Sequence, residues 1–218
     1  MKTIVITGAG RGIGRALAER FLENGDFVIG TSTSGVSPIE HERLLMLQLD
    51  LANPKSIEAC TKAIIDSGKK IDVLINNAGI WSGIEGDPII RLDLLRKTLE
   101  VYLFGTIDFT ERLILVMNKG GHILNISSSS GSMGHTYHSD YPDYKISKAA
   151  LNMVTRCLAL RLDGKIIVSS VHPGWVKTDM GGADADIEPE EAAEDIFTLA
   201  NSRPETGQFW FKGEKFPW

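Results

Sequence analysis

A chain of 218 residues, 43% hydrophobic and 23% charged, has the length and apolar content for one sizeable core spanning residues 1–218, with usage near that of ordinary soluble domains. Its formal net charge of -5 argues against a broad nucleic-acid or anionic-membrane surface, both of which favour basic patches, and points to small molecules as partners. Cys60 and Cys157 lie far apart in helical patterns, no apolar stretch approaches the roughly 20 residues that span a bilayer, and Met1-Lys2 leads directly into a strand. A cytoplasmic protein with reduced thiols and no export signal is therefore expected.

The first apolar run, Ile4 to Ile6, is a strand, and Ile13, Leu17 and Phe21 mark the helix that follows it. Between them lies Thr7-Gly8-Ala9-Gly10-Arg11-Gly12-Ile13-Gly14. Glycines at 8, 12 and 14 permit positive φ and close backbone approach, so this turn and the helix start, with Arg11 and Ile13, suit a dinucleotide pyrophosphate. The G-x-x-x-G-x-G spacing differs from G-x-G-x-x-G, so on its own it also fits a plain loop.

Asn24-Gly25 stops the helix, and Phe27 to Thr31 forms a second strand. Its end reads Gly30-Thr31-Ser32-Thr33-Ser34, without the carboxylate that would bind a free ribose 2′-hydroxyl. The hydroxyls of Thr31 and Ser32, with Arg11 nearby, suit a 2′-phosphate, which favours NADP, with NAD as the second candidate. Leu44 to Leu49 is the third strand, followed by Asp50-Leu51, where Asp50 is placed to meet an adenine amino group. Asn53 is the natural cap of a helix starting at Pro54.

Val73-Leu74-Ile75 reads as a strand buried on both faces, and it ends in Asn76-Asn77-Ala78-Gly79, small and amide residues beside which a cofactor lies close. After a loop around Trp81 to Pro88, Leu95, Leu99 and Leu103 predict one long helix over residues 92 to about 118. His122 to Ile126 is the fifth strand, then Ser127 to Ser130 and a polar loop. His135 and His138 there have no cysteine or carboxylate at metal spacing, so no metal is expected. A helix over residues 142 to 162 carries Tyr144 and Lys148 at i, i+4. Ile166 to Val171 is the sixth strand, ending at His172-Pro173-Gly174, and Pro189 opens the last helix before a short strand at Phe209 to Phe211. Alternation of this kind predicts an α/β fold: one doubly wound parallel sheet of about seven strands with helices on both faces.

The glycine turn, the serine run and the Pro173-Gly174 turn all fall at carboxyl ends of strands, the edge where such sheets bind ligands. A tyrosine near pKa 10 beside an ammonium and an oxidised nicotinamide is drawn towards phenolate, so Tyr144 can exchange a proton with a carbonyl oxygen. Ser128 would hold that oxygen and Lys148 would tune Tyr144, with Ser127 and Ser129 as alternatives to Ser128. Tyr141 and Lys145 make a second Tyr-x-x-x-Lys pair, but Pro142 and Asp143 place Tyr141 ahead of regular helix.

Together these segments resemble the short-chain dehydrogenase/reductase family over essentially the whole chain. Thr7 to Gly14 matches its T-G-x-x-x-G-x-G turn, Asn76 to Gly79 its N-N-A-G, Tyr144 to Ala150 its Y-x-x-S-K-A-A, and Pro173 to Thr178 its P-G-x-V-x-T. The resemblance implies a Rossmann-type fold and hydride transfer between NADP(H) and an aldehyde or ketone. It selects Ser128, the second serine of N-I-S-S, as catalytic beside Tyr144 and Lys148. It assigns Pro173, Gly174, Val176 and Thr178 to the nicotinamide carboxamide, and implies a homodimer or homotetramer paired through the helices near 92–118 and 142–162. A narrower resemblance, at His172 to Gly182, Gly207 to Phe209 and Pro217-Trp218, is to the C-factor and sniffer-type carbonyl reductases, whose short substrate loop implies an open site. Trp81, His135, Tyr137, Tyr141 and Trp175 are candidate pocket residues. One position departs from the pattern: the family's water-holding asparagine in V-N-x-x-G is Tyr102 here. Tyr102 supplies a hydroxyl, fills the space, or marks a weakly catalytic protein that binds dinucleotide as a sensor.

Overall fold

Short apolar runs that alternate with amphipathic helices bury both of their faces only when they pair in parallel under two helical layers. The computed structural model, which describes residues 1–83 and 86–218, adopts that arrangement. Its strands are β1 (Thr3–Ile6), β2 (Phe27–Ser32), β3 (Leu44–Gln48), β4 (Ile71–Asn76), β5 (Met117–Ile126), β6 (Ile166–Val171), β7 (Gln208–Phe211) and β8 (Glu214–Lys215). They form one sheet in the order β3-β2-β1-β4-β5-β6-β7-β8. Pairing is parallel from β3 to β7, and only the two-residue β8 turns back antiparallel on β7. The sheet thus has the seven strands expected and a short eighth. Strand order reverses between β1 and β4, so the crevice opens above their carboxyl ends.

The helices are α1 (Gly12–Glu23), α2 (Pro54–Asp66), α3 (Leu92–Leu99), α4 (Thr106–Ile114), α5 (Pro142–Arg161) and α6 (Pro189–Asn201). On one face, Leu17 and Phe21 of α1 and Ala193 and Phe197 of α6 pack on Ile4, Ile6 and Ile75. The other face buries Ile57, Phe109, Leu113 and Leu158, from α2, α4 and α5, against Val5, Leu74 and Ile123. Each fully buried Leu, Ile or Phe contributes roughly 1.5–3 kcal/mol of burial free energy. Asn53 caps α2 as predicted, its side-chain oxygen accepting from the N–H groups of Lys55 and Ser56.

Two boundaries differ from the sequence reading by more than two residues. The single helix expected to about residue 118 ends at Ile114 and is interrupted by a π-helical segment, Glu100–Gly105, between α3 and α4. There the Thr106 hydroxyl donates to the Val101 carbonyl at 3.0 Å. Gly105 touches the β3–α2 connection so closely that a Cβ would sit 2.0 Å from the Leu51 oxygen. Second, β5 begins at Met117, opposite Ile71, rather than at His122. The polar stretch Asn118-Lys119-Gly120 hides this start from a hydrophobic pattern. It is held by Asn118 donating to Asp72 at 2.7 Å and by the Gly120 N–H donating to Lys165 at 2.7 Å. Residues 84 and 85, in the loop expected around Trp81 to Pro88, lie outside the described residues.

Candidate functional site

The glycine turn is shaped by what lies under it. Gly8 has φ +71° and a Cβ there would stand 2.9 Å from the Ala78 Cα; at Gly14 a Cβ would fall 2.1 Å from the Gly8 carbonyl oxygen. Larger residues would push the turn off β4. Gly12 opens α1, with Arg11 as its N-cap and Ile13 packed on the core. Thr7 binds the layers together: its hydroxyl oxygen accepts from the N–H groups of Asn77 and Ala78, both at 2.9 Å, while the Asn77 amide donates to the Thr7 carbonyl at 2.9 Å. Asn76 donates to Thr110 and Asn125 at 2.9 and 2.8 Å. Both asparagine side chains therefore brace the floor of the cleft internally. Ala78 packs on Gly8, and Gly79 on the Tyr102 ring.

At the end of β2, Thr31 is buried with no hydrogen-bond partner for its hydroxyl among the described residues, and Ser32 donates to the Val36 carbonyl at 3.0 Å. Arg11 stands at the surface, its side chain 80% exposed, paired at 2.6 Å with Asp179. Exposed pairs of this kind contribute about 0–1 kcal/mol, so a ligand phosphate competes easily for the guanidinium. Asp50 is exposed and accepts from the Ala52 N–H at 2.9 Å. It borders an open groove of about 540 Å3 with Thr33, Gln48, Asn53, Lys55 and Ser56. The Leu51 side chain belongs to the core.

Ser128, Tyr144 and Lys148 converge beyond β5. Ser128 leaves the strand extended and its hydroxyl accepts from the Ser130 N–H at 3.1 Å. Tyr144 lies in the first turn of α5, and the Lys148 ammonium, one turn on, is 5.5 Å from the Tyr144 ring centre. That ammonium donates to the Ile126 carbonyl at 2.7 Å and sits 4.0 Å from the centre of the Tyr102 ring. Burial pushes the Tyr144 phenol up to about 12, against the opposing pull of its hydrogen bond with Ser128. Burial draws Lys148 down to about 7. Tyr144 accordingly rests as a phenol, whereas the sequence reading leaned towards phenolate; desolvation outweighs the hydrogen bond with Ser128 before any cofactor charge is present.

The second Tyr-x-x-x-Lys pair separates. Tyr141 has left-handed backbone, φ 52°, just before α5, with its ring against Trp81 at 4.7 Å. Lys145 reaches the His138 carbonyl at 2.6 Å and Asp140 at 3.1 Å. Ser127 is buried, its hydroxyl on the Lys148 carbonyl, which leaves Ser128 and Ser129 facing the cleft. Sequence reasoning missed Asp143. It is buried, accepts from Ser82 and Thr98 at 2.8 Å each, and so ties the Trp81 loop and α3 to the start of α5. Its place after Pro142 marked only a helix start.

On the far wall, Gly174 has φ +91° and its N–H donates to His172 Nδ1 at 3.3 Å. The His172 ring stacks on Phe211 at 4.6 Å. Val176 bridges to Ile187, and Thr178 accepts from the Gly181 N–H at 3.1 Å while its methyl faces Gly12. Thus the Pro173–Thr178 turn meets the glycine turn across the cleft. A cavity of about 340 Å3 lies between Ser129, His172, Gly174, Trp175, Ile187 and Phe211. Trp81 edges the Tyr144 ring at 5.3 Å, whereas His135 and Tyr137 belong to an outer group with Phe216. Among the described residues there is no metal-holding group of three or more His, Cys, Asp or Glu, and no helix long and apolar enough to cross a membrane.

Known proteins share this architecture. The short chain dehydrogenase family model matches residues 2–188. A curated relative, the 3-oxoacyl-acyl-carrier-protein reductase FabG of Vibrio cholerae, is 32% identical over 189 residues, covering 82% of this chain and 75% of its own. Among solved structures, the NADPH-bound carbonyl reductase from chicken fatty liver superposes with a TM-score of 0.86 at 27% identity, covering 100% of this chain and 99% of its own. The carbonyl reductase Sniffer of D. melanogaster does so at 0.87 and 26%, covering 100% of both.

Proposed function

Since the chain belongs to the short chain dehydrogenase family and is an NAD(P)-dependent oxidoreductase, we propose that it reduces the carbonyl of a small aldehyde or ketone to an alcohol with NADPH. The observation that carries the reading is the convergence of Ser128, Tyr144 and Lys148 beside the turn that brings Gly174 to the cleft. The chain suits the cofactor. Gly8, Gly12 and Gly14 let the turn lie tight against Ala78 and Thr178, where a Cβ would push it away, the Thr31 hydroxyl is buried without a partner among the described residues, and Arg11 with Ser32 supplies cation and hydroxyl for a 2′-phosphate. Asp50 and Leu51 would border the adenine, Ala78 and Gly79 the sugar, and Pro173, Gly174, Val176 and Thr178 the carboxamide.

NADPH, when bound, supplies the hydride. Ser128 holds the carbonyl oxygen and Tyr144, resting as a phenol, donates its proton to that oxygen. The Lys148 ammonium stabilises the phenolate left behind. General acid catalysis of this kind contributes about 10²–10⁴-fold. The Trp81 and Tyr141 rings and the cavity beside Trp175 admit apolar and aromatic carbonyls. A cytoplasmic location and pairing of two or four copies complete the proposal, with Phe104, Met153 and Leu160 exposed on the segments expected to pair.

The test mixes the protein with NADPH or NADH and a panel of aldehydes, ketones and diketones, following the absorbance of the reduced nicotinamide. Turnover faster with NADPH, lost in Tyr144→Phe and kept in Tyr141→Phe, is expected. Tight NADPH binding without turnover on any carbonyl would refute the reductase reading and support the sensor instead.

A further inference from the structure

Lys148 is an ammonium almost fully withdrawn from water, 4% exposed. Among the described residues it has a single hydrogen bond, to the neutral Ile126 carbonyl, and no ion pair. The groups around it are the Tyr144 phenol on its own helix, Ser127 and Ile126 at the end of β5, and Tyr102 on the π-helical segment. Asp143, on the preceding turn of α5, spends its carboxylate on Ser82 and Thr98. A buried cation with three N–H groups and one neutral acceptor needs further compensation, or it gives up its proton.

Tyr102 lies where a hydroxyl relay would be sought, yet its hydroxyl is turned elsewhere. It donates to the Ile80 carbonyl at 2.8 Å, and the side chain is 2% exposed. Gly79 makes room for it: a Cβ there would stand 2.4 Å from the Tyr102 hydroxyl oxygen. Pinned at its tip and buried along its length, the ring turns to the ammonium, with the Lys148 nitrogen 4.0 Å from its centre. That distance is well inside the range for attraction between a cation and the negative face of an aromatic ring.

We infer that Tyr102 is a positioning residue of this site, acting through Lys148: its ring, rather than its hydroxyl, holds the ammonium charged and in place beside Tyr144. The consequence for catalysis rests on the reductase reading; the ring–ammonium interaction itself does not. Burial brings Lys148 to about 7, so its charge at neutral pH is finely balanced and a modest attraction decides it.

The ring's electron density can be varied at nearly constant size. Lysine labelled with 13C at Cε reports each ammonium by its pH-dependent shift, and loss of one signal in Lys148→Met assigns Lys148. The titration is run on the cofactor-free protein with Tyr102→Phe and with mono-, di- and trifluorinated phenylalanine at 102, each checked for an unchanged far-ultraviolet circular dichroism spectrum, and the fluorinated variants for thermal unfolding equal to that of Tyr102→Phe. The expected result is a Lys148 midpoint unchanged in Tyr102→Phe and falling stepwise with fluorination, by roughly 0.5–1.5 units across the series. Equal midpoints through the series overturn the inference, as does a fall in Tyr102→Phe as large as the whole series, which would assign the effect to the hydroxyl. In the turnover assay, the alkaline limb of kcat is expected to move down with the same midpoint while KM holds. Failure of the unsubstituted protein to oxidise NADPH would refute the reductase reading by itself, because the titration reads the ring without turnover.

Discussion

Thr7→Val removes one hydroxyl and almost no volume, and that hydroxyl is the acceptor for two backbone N–H groups, of Asn77 and Ala78, at 2.9 Å each. The Thr7 side chain is 1% exposed and the two donors are only partly buried, so each loses its partner but retains some access to water. At about 1–1.5 kcal/mol per donor, the low end of the cost of an unpaired buried group, the variant is destabilised by about 2–3 kcal/mol. For a chain of this length that is roughly a 4–12 °C fall in Tm. Thr7→Ser keeps the acceptor and loses only a methyl group, so it should recover most of the difference. Thermal unfolding followed by circular dichroism checks both, repeated with saturating NADPH. The cofactor should stabilise Thr7→Val less than the unsubstituted protein, because Ala78 and the Asn77 brace lie beneath Gly8. A Tm for Thr7→Val within about 2 °C of the unsubstituted protein, less than 1 kcal/mol on the same scale, would show that the hydroxyl does not hold the turn to β4. Equal losses in Thr7→Ser and Thr7→Val would refute the reasoning as well.

Gly8→Ala combines a left-handed backbone with a 2.9 Å approach to Ala78, so it should weaken NADPH binding at least tenfold; equilibrium titration of cofactor fluorescence measures it. Lys148, lowered to about 7 by burial, is charged below that value, so carbonyl reduction should be sustained at pH 6 and fall as pH rises through about 7. A rate flat from pH 6 to 9 would remove Lys148 from the proton step. His122 is held neutral inside the sheet, its pKa lowered from 6.5 to about 4 by burial. The unfolded chain takes up that proton first, so the contribution is whole above pH 6.5 and lost as pH falls towards 4; at pH 5 the loss is about 2 kcal/mol. Denaturant unfolding of His122→Gln should show a shallower decline between pH 7 and pH 5 than the unsubstituted protein.

The strands legible in the sequence are those buried on both faces, such as Ile4 to Ile6 and Val73 to Ile75, because an uninterrupted apolar run has few other places to go. Capping was legible too, since the Asn53 contacts reach only two and three residues ahead. What escaped depends on partners distant in sequence. Nothing near Asn118 announces that Asp72 will receive its amide and draw a polar stretch into β5. The π-helical segment ends at Gly105, packed closely on Leu51, some fifty positions away. Within the site, the tyrosine, lysine and serine were recognisable by spacing and family pattern. The direction of the Tyr144 shift was not, because it turns on desolvation. Asn76 and Asn77 read as cofactor neighbours; their side chains instead find Thr110, Asn125 and Thr7, and the cleft inherits its shape from that bracing.

The turn after β7 closes the sheet on that side with two exposed, oppositely charged residues, Glu214 and Lys215. Among the described residues no longer strand lies beyond them to template another chain. Parallel sheets assemble slowly, because each strand waits for a distant partner, and partly built ones are prone to aggregate. A two-residue, charged border leaves little for another chain to pair with at that edge during that wait. Replacing both charges with β-branched apolar residues would therefore be felt first in soluble yield on refolding, well before any change in the cleft.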